Sequence, residues 1–149
     1  MKKGERITAF SLPDQNGEEV CIDDYIGKQP LVIYFYPKDE TPGCTKEACS
    51  FRDSMKDFEE LNAKVIGISA DSDESHKAFA ENHNLNFTLL SDPDKKVRKL
   101  LNVPSDMFGF LDGRVTYVVD KEGIIRHIFK SQLNATRHVE EAKKVLSAL

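Results

Sequence analysis

Apolar positions along the chain follow two different rhythms. LVIYFY, residues 31–36, is an unbroken apolar, β-branched run, which predicts a central strand buried on both faces; Pro37 stops it. Beyond a short polar turn the rhythm becomes helical. Cys44, Ala48, Phe51, Met55 and Phe58 recur at intervals of four and three, so one helix is predicted over 44–58 with that stripe inward. Glu47, Arg52, Lys56 and Glu60 fall mostly outside the stripe, as a solvated face. VIGISA, residues 65–70, reads as a second buried strand, and Asp71 with Glu74 as a capping box opening a helix over 73–83. Phe87 to Leu90 is a third strand ended at Asp92-Pro93. Residues 94–102 read as a short helix with Val97, Leu100 and Leu101 inward.

The flanks are simpler. Thr8–Leu12 and Glu18–Ile22 read as a hairpin around Asp14-Gln15-Asn16-Gly17, and Asp23 to Gly27 as one helical turn. Residues 104–113 have no clear period and read as a loop. Val115–Val119 and Ile124–Phe129 form a hairpin around Lys121-Glu122-Gly123. A last helix runs from about Asn134, with Val139, Ala142, Val145, Leu146 and Leu149 on one stripe. Strands alternating with helices predict an α/β fold: a mostly parallel core sheet covered by helices, with an antiparallel edge from the closing hairpin. The 37–43 turn then lies beyond a strand's C-terminal end, where α/β sheets place functional loops.

Composition narrows the field. At 149 residues the chain is expected to form a single domain over 1–149. With 40% hydrophobic residues, 31% charged and a net charge of −4, there is no basic stripe, so no nucleic acid and no membrane is expected as partner. MKKGERITAF has two lysines but no apolar stretch after them, so it does not read as a secretory signal. Three cysteines make no disulfide scaffold. The expected compartment is a reducing cytoplasm, where a cysteine pair is more often catalytic or metal-binding than structural.

The reactive candidate is Cys44, at the seam between strand and helix. Thiolates, not thiols, attack, and three features favour an anion there. The first turn of a helix offers unpaired N–H groups and the positive end of the macrodipole. Lys38, Lys46 and a more distant arginine can add positive potential, and the Thr41 hydroxyl can donate to the sulfur or to a bound oxygen. Gly43 lets the backbone approach closely. Cys49 completes C-x-x-x-x-C, not C-x-x-C. Five residues along a helix turn the side chains ~140° apart and separate them by ~7.5 Å, beyond the ~7 Å Cα limit of a disulfide. A bond between the two requires the helix start to unwind.

PKDETPGCTKEAC, residues 37–49, resembles the active site of the peroxiredoxins, with Pro37, Thr41 and Cys44 in their P-x-x-x-T-x-x-C pattern. The C-x-x-x-x-C spacing resembles the bacterioferritin comigratory protein, or peroxiredoxin Q, subgroup. GERITAFSLPDQNG, LVIYFYP, VIGISADS and GRVTYVVDKEGIIR extend the likeness over nearly the whole chain. The resemblance implies a thioredoxin-like fold with an N-terminal hairpin, and a thiol peroxidase acting in antioxidant defence on hydrogen peroxide and organic hydroperoxides. It implies that Cys44 is the peroxidatic cysteine, oxidised to sulfenic acid, and that Thr41 and the Cys44 N–H hold the peroxide oxygens. Pro37 would shield the site, Arg114 would stabilise thiolate and peroxide, and Glu47 would orient Arg114. Cys49 would resolve the sulfenic acid as an intramolecular disulfide, and thioredoxin or a similar dithiol would reduce it. No metal and no organic cofactor is implied. A monomer or weak homodimer is expected.

Plainer readings stand beside these. Cys44 alone is a buried core thiol, Cys49 a bystander, Thr41 a helix cap and Arg114 a surface charge. Cys21, in a hairpin strand with no basic or helical partner, reads as structural. His76, His83, His127 and His138 show no short ligand spacing, and the acidic clusters at 71–74 and 92–94 read as caps and turns. The alternative of another class is a redox-sensing binding protein switched by Cys44 oxidation. A thioredoxin-type reductase is disfavoured by the missing C-x-x-C.

Overall fold

Alternate residues of one strand serve two cores. In the computed structural model, which describes residues 1–106 and 111–149, β3 (Leu31–Phe35) is buried along its whole length. Leu31, Ile33 and Phe35 enter an apolar cluster with Ile7, Phe10, Leu12, Ile22, Val97 and Leu101. Val32 and Tyr34 enter the opposite cluster, with Cys44, Ala48, Phe51, Phe58, Phe79, Val139 and Ala142. A strand covered on both faces needs no polar alternation, which is why its pattern is continuous.

β3 is the centre of a five-stranded mixed sheet. The chain runs β1 (Ser11–Pro13), β2 (Glu19–Cys21), a 3-10 turn (Ile22–Asp24), β3, α1 (Pro42–Asp53), α2 (Met55–Glu60), β4 (Lys64–Ser69), α3 (Asp73–His83), β5 (Thr88–Ser91), α4 (Lys96–Leu100), β6 (Ser105–Asp106), β7 (Leu111–Asp112), β8 (Val115–Val119), β9 (Ile125–Lys130) and α5 (Arg137–Ser147). The sheet order is β5-β4-β3-β8-β9, with β3, β4 and β5 parallel and β8 and β9 antiparallel to their neighbours. β1 and β2 form a separate antiparallel pair at the N-terminal end. This is the expected thioredoxin-like α/β arrangement with its hairpin extension. None of the described helices is long and apolar enough to cross a membrane.

Several boundaries differ from expectation. The predicted 44–58 helix is two helices. Its inward stripe is correct, all five residues being buried, but Ser54 leaves helical geometry (φ −101°, ψ 5°), its N–H shared between the carbonyls of Ser50 and Phe51. α3 is capped by Ser72, whose Oγ accepts from the Ser75 N–H at 3.1 Å, not by Asp71. Asp71 is drawn instead to the Asp39 N–H (2.8 Å) and the Ser69 hydroxyl (2.6 Å). The first strand starts three residues later than predicted, and α5 starts at Arg137. Leu100 and Leu149, placed inward by spacing, are 52% and 57% exposed: Leu100 is the last residue of α4, and Leu149 lies beyond the end of α5 at Ser147. The expected 104–113 loop contains the short β6–β7 pair; its residues 107–110, Gly109 among them, lie outside the described residues.

Candidate active site

The site forms where β3 hands over to α1. Thr41 takes the N-cap position of α1 in an extended conformation, Pro42 follows as the first helical residue, and Cys44 lies in the first turn. The Thr41 hydroxyl makes no cap bond; it donates to the Lys38 carbonyl at 3.0 Å, closing the turn. Pro37 is half-buried, whereas Lys38 and Lys46 are exposed. Cys44 is 1% exposed, Cys49 half-buried, and all three cysteines are free thiols.

The guanidinium of Arg114, which enters from the start of β8, organises the site. Its Nη2 lies 3.4 Å from Cys44 Sγ and its Nη1 2.6 Å from Glu47 Oε1. Arg114 lies 70 residues from Cys44 and 67 from Glu47 in the chain, yet the three meet in a buried cluster. Gly43 makes the approach possible: a Cβ there would stand 3.0 Å from Arg114 Nη2. Glu47 corrects the expectation of a solvated residue, and its place three residues after Cys44 and four before Phe51 is that of the inward face. It is wholly buried, and Arg114 is the partner that permits this. Burial raises its carboxyl to about 8, against the lowering pull of Arg114. Burial likewise opposes the charge on Arg114, but Glu47 and Cys44 outweigh it and hold the guanidinium above its ordinary range.

Residues that no sequence pattern singled out support this cluster. Gln132 grips Arg114 twice: its Oε1 accepts from the Arg114 backbone N–H (3.0 Å) and its carbonyl from Nε (3.3 Å). His138 of α5 stands behind Glu47, with Nδ1 3.6 Å from Oε2. A carbonyl can only accept, so His138 Nε2, 2.8 Å from the Ser131 carbonyl, carries the ring proton, and Nδ1 accepts from the Thr116 hydroxyl at 2.7 Å. One signal for His138 was present: it lies four residues before Ala142, on the buried stripe of α5. For Gln132, in an irregular connection, there was none.

The turn is clamped onto α3. Asp39 Oδ2 meets His76 Nδ1 at 2.7 Å and the Ser75 hydroxyl at 2.8 Å, and Asp39 Oδ1 accepts from Tyr36 at 2.6 Å. Buried Asp39 and His76 thus share one corner with half-buried Asp71, and His76 Nε2 is held by the Leu90 carbonyl at 3.0 Å. Outside, Glu40 reaches His83 (2.6 Å) and Asn82 (2.8 Å).

Burial depresses His138 to about 4, with Arg114 adding to the effect and the Ser131 carbonyl opposing it. An unfolded chain takes up this proton near the ordinary value of 6.5, so between 6.5 and 4 the unfolded state binds more protons. Stability is expected to fall by about 2 kcal/mol from pH 6.5 to 5 through this group. Urea unfolding at both pH values, compared with His138→Asn, checks this; an equal fall in the variant would assign the loss elsewhere.

A strand–turn–helix that presents a buried thiol to an arginine defines a class, and comparison with known proteins gives the class its name. Residues 3–128 match the AhpC/TSA family. The chain is 52% identical over 147 residues to the chloroplastic peroxiredoxin Q of Sedum lineare, covering 99% of this chain and 78% of that one. The same identity holds over 148 residues with the chloroplastic peroxiredoxin Q of Arabidopsis thaliana, covering 99% and 68%. Among solved structures, peroxidoxin BcpB of Mycobacterium tuberculosis superposes with a TM-score of 0.91 at 36% identity, over 100% of this chain and 98% of that one. The bacterioferritin comigratory protein of Xanthomonas campestris gives 0.83 at 30%, over 93% and 90%.

The chain belongs to the AhpC/TSA family, in its peroxiredoxin Q group. It is a thioredoxin-dependent thiol peroxidase, an antioxidant oxidoreductase. The expectation of a cytoplasmic location is corrected by the same relatives, whose names place them in the chloroplast. Cysteine usage reports a reducing environment and does not tell cytosol from another reducing compartment.

Proposed function

We propose that Cys44 is the peroxidatic cysteine and Cys49 its resolving partner, within a single domain over 1–149. The contact of Arg114 Nη2 with Cys44 Sγ at 3.4 Å carries this reading. A guanidinium at that distance favours sulfur as an anion, and the same donor stabilises the charge that develops on the leaving oxygen. Thr41 and the Cys44 N–H hold the peroxide oxygens, Pro37 limits water at the thiol, and Glu47 holds Arg114. The thiolate attacks one oxygen, the S–O bond forms as the O–O bond breaks, and sulfur becomes a sulfenic acid.

Resolution needs a second shape. Cys44 and Cys49 lie on one continuous helix, α1, the first buried and the second half-buried. Five helical residues put their side chains ~140° apart, so the first turns of α1 unwind before the disulfide closes. Thioredoxin, or a similar dithiol, then reduces the exposed bond. Hydrogen peroxide and organic hydroperoxides are the substrates; the Xanthomonas campestris neighbour is a protein with alkyl peroxide reduction activity. The enzyme works as a monomer or weak homodimer, without nucleic acid or membrane.

Cys49→Ser tests the route. The variant is expected to consume about one equivalent of peroxide per chain and then stop in a thioredoxin-coupled assay, while wild type turns over and shows a 44–49 disulfide by peptide mass spectrometry. Sustained coupled turnover in Cys49→Ser would show that another thiol resolves Cys44.

A further inference from the structure

Glu47 is worse satisfied than a carboxylate in a protein core should be. Its Oε1 has Arg114, but its Oε2 is buried without a hydrogen-bond partner among the described residues. The nearest ring nitrogen, His138 Nδ1 at 3.6 Å, is the unprotonated one, since Nε2 carries the proton to Ser131. So α5 offers Oε2 no donor. From β3 the facing titratable group is Tyr34, whose phenol burial holds well above its ordinary value, with Glu47, Cys44 and Asp39 adding. From the start of β8 comes Arg114, and from α1 itself Cys44. The cluster therefore contains one fixed positive charge and two groups able to become anions, Cys44 and Glu47, all at 4% exposure or less. Two buried anions against one guanidinium leave a negative charge without a partner, which a desolvated site disfavours strongly.

We propose that Glu47 is the proton-holding group of this peroxidase site: in the reduced enzyme it is a neutral carboxylic acid while Cys44 is the thiolate on Arg114, and it becomes the carboxylate on Arg114 when Cys44 is oxidised. This rests on the reading of Cys44 as the reacting thiol. The charges and atoms balance. Before reaction the cluster holds S⁻, COOH and guanidinium, with net charge zero. The sulfur gives an electron pair to one peroxide oxygen; S–O forms, O–O breaks, sulfur is oxidised and the peroxide reduced. The leaving oxygen departs as RO⁻ and takes one proton to become ROH, and Glu47 gives one up. Afterwards the cluster holds S–OH, COO⁻ and guanidinium, again with net charge zero. The single negative charge moves from one side of Arg114 to the other. Glu47 does not touch the peroxide; it acts through Arg114 as a positioning residue. Burial of its carboxyl, which raises it to about 8, agrees with this division of one proton between two acids.

Infrared difference spectroscopy reads the proton directly. In reduced Cys49→Ser protein, where oxidation halts at the sulfenic acid, one equivalent of peroxide is expected to bleach the ultraviolet thiolate absorbance. With it a carboxylic-acid C=O band should be lost and a carboxylate band gained, both missing in Cys49→Ser/Glu47→Gln. Should the double variant fail to fold, Cys44→Ser serves: with no sulfur anion beside it, the Glu47 band should titrate at lower pH than in Cys49→Ser. If peroxide leaves the thiolate absorbance intact, the assignment of Cys44 itself fails, and this proposal with it. If the thiolate bleaches while the carboxyl bands stay still, or if the Glu47 band titrates no lower in Cys44→Ser, Cys44 stands and the role of Glu47 is overturned.

Discussion

Cys44→Ser is expected to reduce peroxide turnover to background while leaving the fold in place. A serine hydroxyl fills nearly the same volume in the first turn of α1, under Arg114 and against Ala48. What it lacks is a nucleophile: one guanidinium cannot ionise an alcohol at neutral pH, whereas a thiol needs only modest help. The loss should therefore be of chemistry and not of structure. Peroxide consumption in the thioredoxin-coupled assay should vanish, with thermal unfolding close to that of wild type. Full activity in a folded Cys44→Ser would move the reacting thiol to Cys49 or Cys21. Both are half-buried, and neither has the Arg114 contact.

Arg114→Gln should produce the second largest effect, in two separable parts. Removal of one donor from a developing oxyanion costs typically 10²–10³-fold in rate, about 3–4 kcal/mol, so peroxide reduction should slow by that much at saturating reductant. Stability should fall as well, with a pH dependence that identifies the cause. Glu47 loses the one side chain that hydrogen-bonds it among the described residues, and a buried unpaired charge costs about 3–5 kcal/mol. With Arg114 gone its lowering pull is gone too, so the Glu47 carboxyl rises above the value of about 8 that it has beside the guanidinium and escapes that cost at lower pH by keeping its proton. The unfolded chain releases that proton near the ordinary carboxyl value, so the folded state binds more protons over this range and stability declines as pH rises. Urea unfolding of Arg114→Gln should thus show mild destabilisation at pH 6 and a larger one at pH 9. A pH-independent loss would mean that the packing of the guanidinium, and not its charge, is what Glu47 depends on.

Most of the sheet and the inward stripes could be read from the amino-acid sequence, and the reason lies in their periods. β3 is continuous because two cores cover it, and the α1–α2 stripe is regular because a single layer receives it. The proposed reactive thiol, Cys44, stood out for another reason: Thr41, Pro42, Gly43 and Cys44 are contiguous, so their geometry is local. What stayed hidden depends on partners far along the chain. Glu47, three residues after Cys44 and four before Phe51, lies on the inward face by spacing, but its charge made it read as solvated; the partner that permits its burial, Arg114, comes 67 residues later. Asp39 looks like a turn residue until His76, 37 residues on, closes over it. Asp71 was the expected cap, and Ser72 takes its place because the Asp39 N–H and the Ser69 hydroxyl engage the Asp71 carboxylate. Gln132 follows no period at all. Arg114 itself was visible only through family likeness, since a lone arginine before a strand has no signature of its own.

On the proposed route, in which the start of α1 unwinds so that Cys49 reaches Cys44, the break at Ser54 and the aromatic contacts on either side of it separate what is spent in each cycle from what is kept. A helix as short as the twelve residues of α1 has little stability of its own and persists through its contacts. Phe51, stacked on Tyr34 at 4.5 Å between ring centres, and Met55 and Phe58 beyond the break provide anchorage on the far side of Cys49. Melting that starts at Pro42 can therefore release the two sulfurs and halt before it reaches the aromatic layer. The core that must survive every turnover is insulated from the few residues that must not be rigid.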